Sequence, residues 1–134
     1  MQRVSRASVS VEGRRIAAVG PGLLVLLGVS PHDAEGEADR LADRIRALRI
    51  FDDPGGRMNE PLGEREVLCV SQFTLYADTR KGNRPSFAGA APADLAERLY
   101  ERFCERLGAE RGVFGARMEV ELVNEGPVTL LLEA

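Results

Sequence analysis

Few residues in this chain are equipped for acid–base chemistry. The only histidine is His32, in the segment Ser30-Pro31-His32-Asp33. A hydrolase built from side chains needs a nucleophile, a base and a group that orients the base. A single histidine in what reads as a helix-entry loop gives little support to a Ser-His-Asp or Cys-His arrangement. Cys69 stands in an apolar run and Cys104 in a helical pattern. Both read as buried free thiols of a reducing cytoplasm. With one histidine they cannot supply a usual zinc site, so no metal is expected. Asp52 and Asp53 open the cluster DDPGG, which is most simply a turn. The glycines Gly55, Gly56 and Gly82 lack the spacing of a phosphate-binding GxxxxGK[ST] loop.

Two stretches remain. Val67–Phe87, VLCVSQFTLYADTRKGNRPSF, begins as an apolar run and puts out Ser71 and Gln72, followed by Phe73, Thr74 and Leu75. It ends in a loop of turn formers and cations: Asp78, Arg80, Lys81, Gly82, Asn83, Arg84 and Pro85. A buried strand that emerges at a polar elbow can hold reactive groups rigidly, and it can equally be a core strand before a solvated loop. Thr74 has two readings: a β-branched strand residue whose hydroxyl bonds locally, or a nucleophile for which the chain offers no base. The other stretch is Asn124-Glu125-Gly126-Pro127-Val128-Thr129. Its proline interrupts two good strand patterns, and a central strand cannot carry one without losing a ladder bond. A hairpin tip at Asn-Glu-Gly-Pro is the simplest reading. Phe114, in a loop, and Met118, on an alternating strand, read by pattern as core.

Stepwise along the chain, Arg3–Val11 alternates with Ala7, Val9 and Val11 on one face, which is strand period. Glu12-Gly13 turns it into a second arm, Arg15–Val19. Leu23–Val29 is a continuous apolar run, best read as a strand covered on both faces. Ala38, Leu41, Ala42, Ile45 and Leu48 follow at helical spacing. After the DDPGG turn a loop leads to the strand beginning at Val67. Pro92 opens a second helix in which Leu95, Leu99, Phe103 and Leu107 recur every four residues, and Gly108 fits its stop. Ala109–Ala116 reads as a loop, Met118–Val123 as an alternating strand and Val128–Leu132 as a final apolar strand. Two helices and six or seven strands, with antiparallel hairpins at both ends, give a mixed α/β domain with helices on one face of a sheet.

The chain has 134 residues, enough for one domain spanning 1–134 and not for two. Its 44% hydrophobic and 29% charged content suits a globular domain. With a net charge of −3, any nucleic-acid contact must be a local patch. The basic residues are arginines except for Lys81. No apolar run approaches the ~18 residues of a membrane span, and the opening MQRVSRASVS lacks the apolar core of a signal peptide. No membrane association and a cytoplasmic location are expected.

The segments QRVSRASV, GLLVLLGV, LRIFDDPGGRMN, Ser71-Gln72-Phe73-Thr74-Leu75, KGNRPSF and Asn124-Glu125-Gly126-Pro127-Val128-Thr129 together resemble the D-aminoacyl-tRNA deacylase family. Each is weak alone; in order, along nearly the whole chain, they form a specific match. The resemblance implies a largely antiparallel, barrel-like double-layered sheet with helices outside, assembled as a homodimer. It implies hydrolysis of the ester joining a D-amino acid, or glycine, to the terminal ribose of tRNA, a proofreading reaction that needs no cofactor. Backbone N–H groups around Phe73 and Thr74 would face the ester oxygen, and the ribose 2′-hydroxyl would help to activate water. Ser71 and Gln72 would shape the adenosine end of the pocket, and Phe114 and Met118 would line its adenine subsite. Gly126-Pro127 would be a cis peptide in the Asn124–Thr129 motif, reaching into the partner's pocket to hold the substrate ammonium. Arg3 would brace this motif from the other subunit.

Two departures from the family pattern stand out. Gln2, Arg3 and Val4 follow Met1 directly where relatives carry a few more apolar residues, so a short first strand, or a start downstream of the usual one, is expected. Glu125 replaces a common aspartate. A non-catalytic nucleic-acid-binding protein on the same fold is a second reading. An editor of L-alanyl-tRNA is a third, against which Ser71 stands where such relatives carry proline.

Overall fold

A computed structural model describes residues 1–134. Strand β1 (Gln2–Val11) is the hub. One of its edges carries β3 (Gly22–Leu27) along Gln2–Val4 and then β2 (Arg14–Val19) along Ala7–Val11, both antiparallel. Its other edge carries β8 (Glu119–Thr129), also antiparallel. Strand β6 (Glu66–Ser71) pairs parallel to β3, and the short β7 (Glu110–Arg111) pairs parallel to β6. Because β1 changes partner halfway along, the sheet curls into a nearly closed barrel. A separate hairpin joins β4 (Phe51–Asp52) and β5 (Met58–Glu60).

The apolar runs of β3 and β6 are covered on both faces, as their lack of alternation implies. Leu23, Val25 and Leu27, with Val67 and Cys69, face helices α1 (Glu35–Ala47) and α2 (Ala93–Leu107) in one buried cluster. Leu24, Leu68 and Val70 turn the other way and meet Val4, Ala7, Val9 and Val19 inside the barrel. Tyr100 of α2 ties the two layers together by donating its hydroxyl to the Cys69 carbonyl at 2.8 Å. Gly22 makes the β3–β6 pairing possible: a Cβ there would fall 1.8 Å from the Glu66 carbonyl oxygen.

Helix ends follow local chemistry. The Glu37 carboxylate accepts the Ala34 N–H at 2.7 Å, satisfying one orphan donor at the start of α1. Helix α2 stops at Gly108, whose φ of +73° suits a residue without Cβ. The helices are joined across their exposed sides by Arg102–Asp39 and Arg106–Asp43 pairs at 2.8 and 2.7 Å.

Several sequence expectations need correction. β1 is ten residues long and is not short. There is no C-terminal hairpin: β8 is one strand that runs through Gly126 and Pro127, and regular structure ends at Thr129. Its proline is tolerated because β8 pairs only with β1 and leaves its other edge free. Between the pairs Gln2–Thr129 and Val4–Asn124, two steps on β1 face five on β8, so the motif bulges out of the ladder. Thr74 is not on a strand: Phe73–Tyr76 is a single 3-10 turn. The loop after α2 contains β7, and the segment after DDPGG contains β5.

Candidate active site

The end of β6 opens onto a cavity of about 580 Å³. Ser71, Gln72 and Phe73 line it together with Phe87, Ala96, Phe114 and Met118. The structure thus brings together five of the residues singled out in the sequence. Met118 is held there by Gly112, where a Cβ would lie 2.7 Å from its sulfur. Phe114 packs on Tyr100, ring centroids 6.0 Å apart. Phe87 meets Phe73 edge to face at 5.2 Å. Phe87 was not singled out by periodicity because it lies in a loop; its place in the KGNRPSF segment was the available signal.

No side chain lining the cavity is titratable. The polar groups are Ser71 and Gln72, together with the backbone. Gln72 donates its N–H to the Leu27 carbonyl at 2.8 Å, the last bond of the β3–β6 ladder. The turn that follows makes its first bond from the Leu75 N–H to the Gln72 carbonyl at 3.2 Å. The N–H groups of Phe73 and Thr74 therefore precede the first hydrogen bond of the turn, where donors have no partner inside the element. The Phe73 donor belongs to a residue that lines the apolar cavity and the Thr74 donor follows it; two adjacent free donors of this kind can receive an oxygen that gains negative charge.

Thr74 is exposed and does not line the cavity; its hydroxyl accepts a hydrogen bond from the Gln72 side-chain amide. An amide is no base, so the hydroxyl is bonded locally and is not activated. His32 is exposed and takes no part in the cavity. Burial pushes the Cys69 thiol well above its usual range, which keeps it a neutral core group. Both cysteines are free.

Gly126, Pro127 and Asn124 are exposed and lie elsewhere. The Gly126–Pro127 peptide is cis, and Gly126 has φ +124°. Arg3, 5% exposed, lies beneath them. Its Nε donates to the Glu125 carbonyl at 3.0 Å and lies 2.7 Å from Glu125 Oε2. Its Nη1 donates to the Ile50 carbonyl at 2.8 Å and to Asp52 Oδ1 at 3.3 Å. The brace is therefore made within one chain, and the expectation that Arg3 acts from the other subunit is corrected. Asp52, read in the sequence only as a turn residue, belongs to this brace.

The two groups are far apart. Arg3 pairs with Leu23, which pairs with Val67, and Ser71 stands four residues farther along β6. At ~3.3 Å per residue that is roughly 13 Å along the strand, with β1 and β3 intervening across the sheet. One copy of the chain cannot close both groups around one small ligand.

A family model described as D-Tyr-tRNA(Tyr) deacylase matches residues 1–133. A D-aminoacyl-tRNA deacylase of Desulfatibacillum aliphaticivorans is 55% identical, with 100% of this chain and 97% of the relative covered. A protein of the same name from Anaeromyxobacter dehalogenans (strain 2CP-C) is also 55% identical, with 100% and 95% covered. Among solved structures, the c-Myc DNA Unwinding Element Binding Protein superposes with a TM-score of 0.92 at 43% identity, covering 99% of this chain and 95% of its own. A probable eukaryotic D-amino acid tRNA deacylase superposes at 0.77 with 18% identity over 94% and 92% of the two chains, a likeness of fold.

Proposed function

The chain belongs to the D-Tyr-tRNA(Tyr) deacylase family, and from that membership we propose that it hydrolyses the ester of D-aminoacyl-tRNA, and of glycyl-tRNA, to free amino acid and tRNA. The observation that carries this reading is the cavity at the end of β6, apolar, without titratable groups, and fronted by the unbonded N–H groups that start the turn after Gln72. An ester is already activated, so stabilising its carbonyl oxygen in a water-poor site lowers the barrier without a side-chain base. The N–H groups of Phe73 and Thr74 receive that oxygen. Ser71 and Gln72 hydrogen-bond the adenosine, Phe114 and Met118 pack on the adenine, and the substrate's own 2′-hydroxyl helps water to attack.

The distance between Ser71 and Gly126 within one chain supports a homodimer in which each Gly126-Pro127 enters the partner's cavity. Two carbonyls that point the same way there hold the substrate ammonium. Sedimentation should give twice the 14.6 kDa chain mass at micromolar concentration; a monomer would defeat the shared site. No helix is long and apolar enough to cross a membrane, and the proposed substrate places the activity in the cytoplasm.

Incubation with D-tyrosyl-tRNA tests the activity. Release of D-tyrosine well above a buffer blank is expected, and no release would refute it. The likeness to a protein named for binding a DNA element favours a second reading, nucleic-acid binding without hydrolysis. Tight binding of charged tRNA with no release would support that reading instead.

A further inference from the structure

The loop between the turn after Gln72 and the start of α2 is a closed lobe. Asp78 and Ser86 exchange backbone hydrogen bonds of 2.8 and 2.9 Å, so the chain from 78 to 86 leaves the body and returns at one point. The foot of the lobe is fastened to the cavity: Phe87 lines it and meets Phe73 edge to face at 5.2 Å. Over those nine residues three cations oppose one carboxylate, in a chain whose net charge is −3. The carboxylate is already committed. Asp78 takes both Nε and Nη2 of Arg80, at 2.9 and 2.7 Å, and its Oδ1 also accepts the Arg80 N–H at 3.0 Å. Lys81 and Arg84 are left exposed and without an ion pair.

We propose that Lys81 and Arg84 form a docking site for the phosphodiester backbone of the single-stranded 3′ end of tRNA, just upstream of the nucleotide held in the cavity. The inference rests on the deacylase reading for the identity of the ligand. Its warrant is position and charge. Arg84 stands three residues from Phe87, at most about 10 Å of chain. A polynucleotide whose last base is in the cavity has the foot of the lobe, at Phe87, beside it. A guanidinium and an ammonium on a lobe closed at its neck meet phosphates without new ordering of the backbone. Arg80 serves a different purpose: clamped to Asp78, it stiffens the lobe and leaves its neighbours to bind. Contacts of this kind raise affinity for any tRNA without reading sequence, as an enzyme acting on many tRNAs requires.

The test compares the Lys81→Ala/Arg84→Ala double variant with the parent chain on D-tyrosyl-tRNA and on D-tyrosyl-adenosine, a substrate without the upstream phosphates. On tRNA, KM should rise roughly tenfold or more at 50 mM salt with kcat retained. The slope of log KM against log salt should shrink by about 1.4, the value for two single-strand phosphates. On the adenosine ester the variant should match the parent. The conservative swap Lys81→Arg/Arg84→Lys should keep most of the tRNA affinity. Arg40→Ala/Arg44→Ala, which removes two exposed cations from α1 that do not line the cavity, controls for net charge. An unchanged KM and salt slope would overturn the proposal, as would equal losses on both substrates or an equal loss in the control. Filter binding of uncharged tRNA gives the same comparison without turnover. A parent chain that binds tRNA through Lys81 and Arg84 but releases no amino acid would therefore refute the hydrolase reading and leave the docking site standing.

Discussion

Arg3 donates from Nε to the carbonyl oxygen of Glu125 at 3.0 Å, directly before the cis Gly126–Pro127 peptide of the same chain. This places a buried guanidinium under an exposed motif. The same side chain reaches the Ile50 carbonyl at 2.8 Å, so the hairpin of β4 and the bulge of β8 share one anchor. Arg3→Met keeps the aliphatic bulk and removes every donor. Two carbonyls lose their partner, each worth ~1–3 kcal/mol if it stays dry, so a loss of about 2–6 kcal/mol is expected in urea unfolding. A change below ~0.5 kcal/mol would mean that the brace contributes nothing to stability.

Gly126 has no room to be anything else. Its φ is +124°, outside the region that L side chains adopt, and a Cβ would lie 3.1 Å from Arg3 Nη2 and from Val128 Cγ2. Gly126→Ala should strain the bulge by ~1–3 kcal/mol and lower activity on every substrate alike, with the barrel and helices retained by circular dichroism. A variant with undiminished activity on D-tyrosyl- and glycyl-tRNA would remove the motif from the site.

Thr74→Ala should cost no more than roughly tenfold in rate, about 1.4 kcal/mol of barrier. The hydroxyl is held by the Gln72 amide, which cannot take its proton. Mass spectrometry of a quenched reaction checks this from the other side. A covalent acyl adduct on Thr74, or a loss beyond a thousandfold with the fold intact, would restore the nucleophile reading.

Chirality provides the sharpest test of the proposed mechanism. With the ammonium held by the carbonyls of Gly126 and Pro127, a D side chain leads out to solvent and an L side chain runs into the motif. Discrimination then works by rejection. D-tyrosyl-, D-aspartyl- and glycyl-tRNA should all be hydrolysed, and L-tyrosyl-tRNA should not. Comparable rates on the two tyrosyl enantiomers would defeat this account.

Acid should loosen the helix pair. Hydrogen bonds from Arg102 and Arg106 hold the carboxyls of Asp39 and Asp43 below the usual aspartate range. A carboxyl depressed in the folded state stabilises it above the unfolded pKa of ~3.9. That contribution is lost as pH falls through the lower, folded value. These pairs should add no pH dependence between pH 5 and 8 and a decline below about 4. They are exposed, so their share is modest. Asp39→Asn/Asp43→Asn should flatten the acid limb of the urea midpoint, and an unaltered limb would show that the decline arises elsewhere.

The amino-acid sequence by itself determined the elements with a clear period or an unbroken apolar run. Leu23–Val29 is best read as a strand covered on both faces and Val67–Val70 as a buried strand, and residues 23, 25 and 27 do face the helices while Leu24 faces the barrel. The four-residue recurrence in α2 and its stop at Gly108 were equally legible, as were the ordered motifs that mark the family. Tertiary structure alone decided what those patterns leave open. Periodicity reports whether a residue is covered, not which distant element covers it. It could not say that Phe87 and Ala96 would complete a cavity with Met118, nor that Thr74 would leave the strand for a turn bonded to Gln72. Nor could it say that Pro127 would sit within an edge strand, because a hairpin tip and a bulge use the same residues and differ only in whether β1 is there to pair with. The brace of Arg3 was invisible for the same reason. Its three partners are Asp52 of β4, Ile50 just before that strand and Glu125 of β8, and only the curl of the sheet around β1 brings them to one guanidinium.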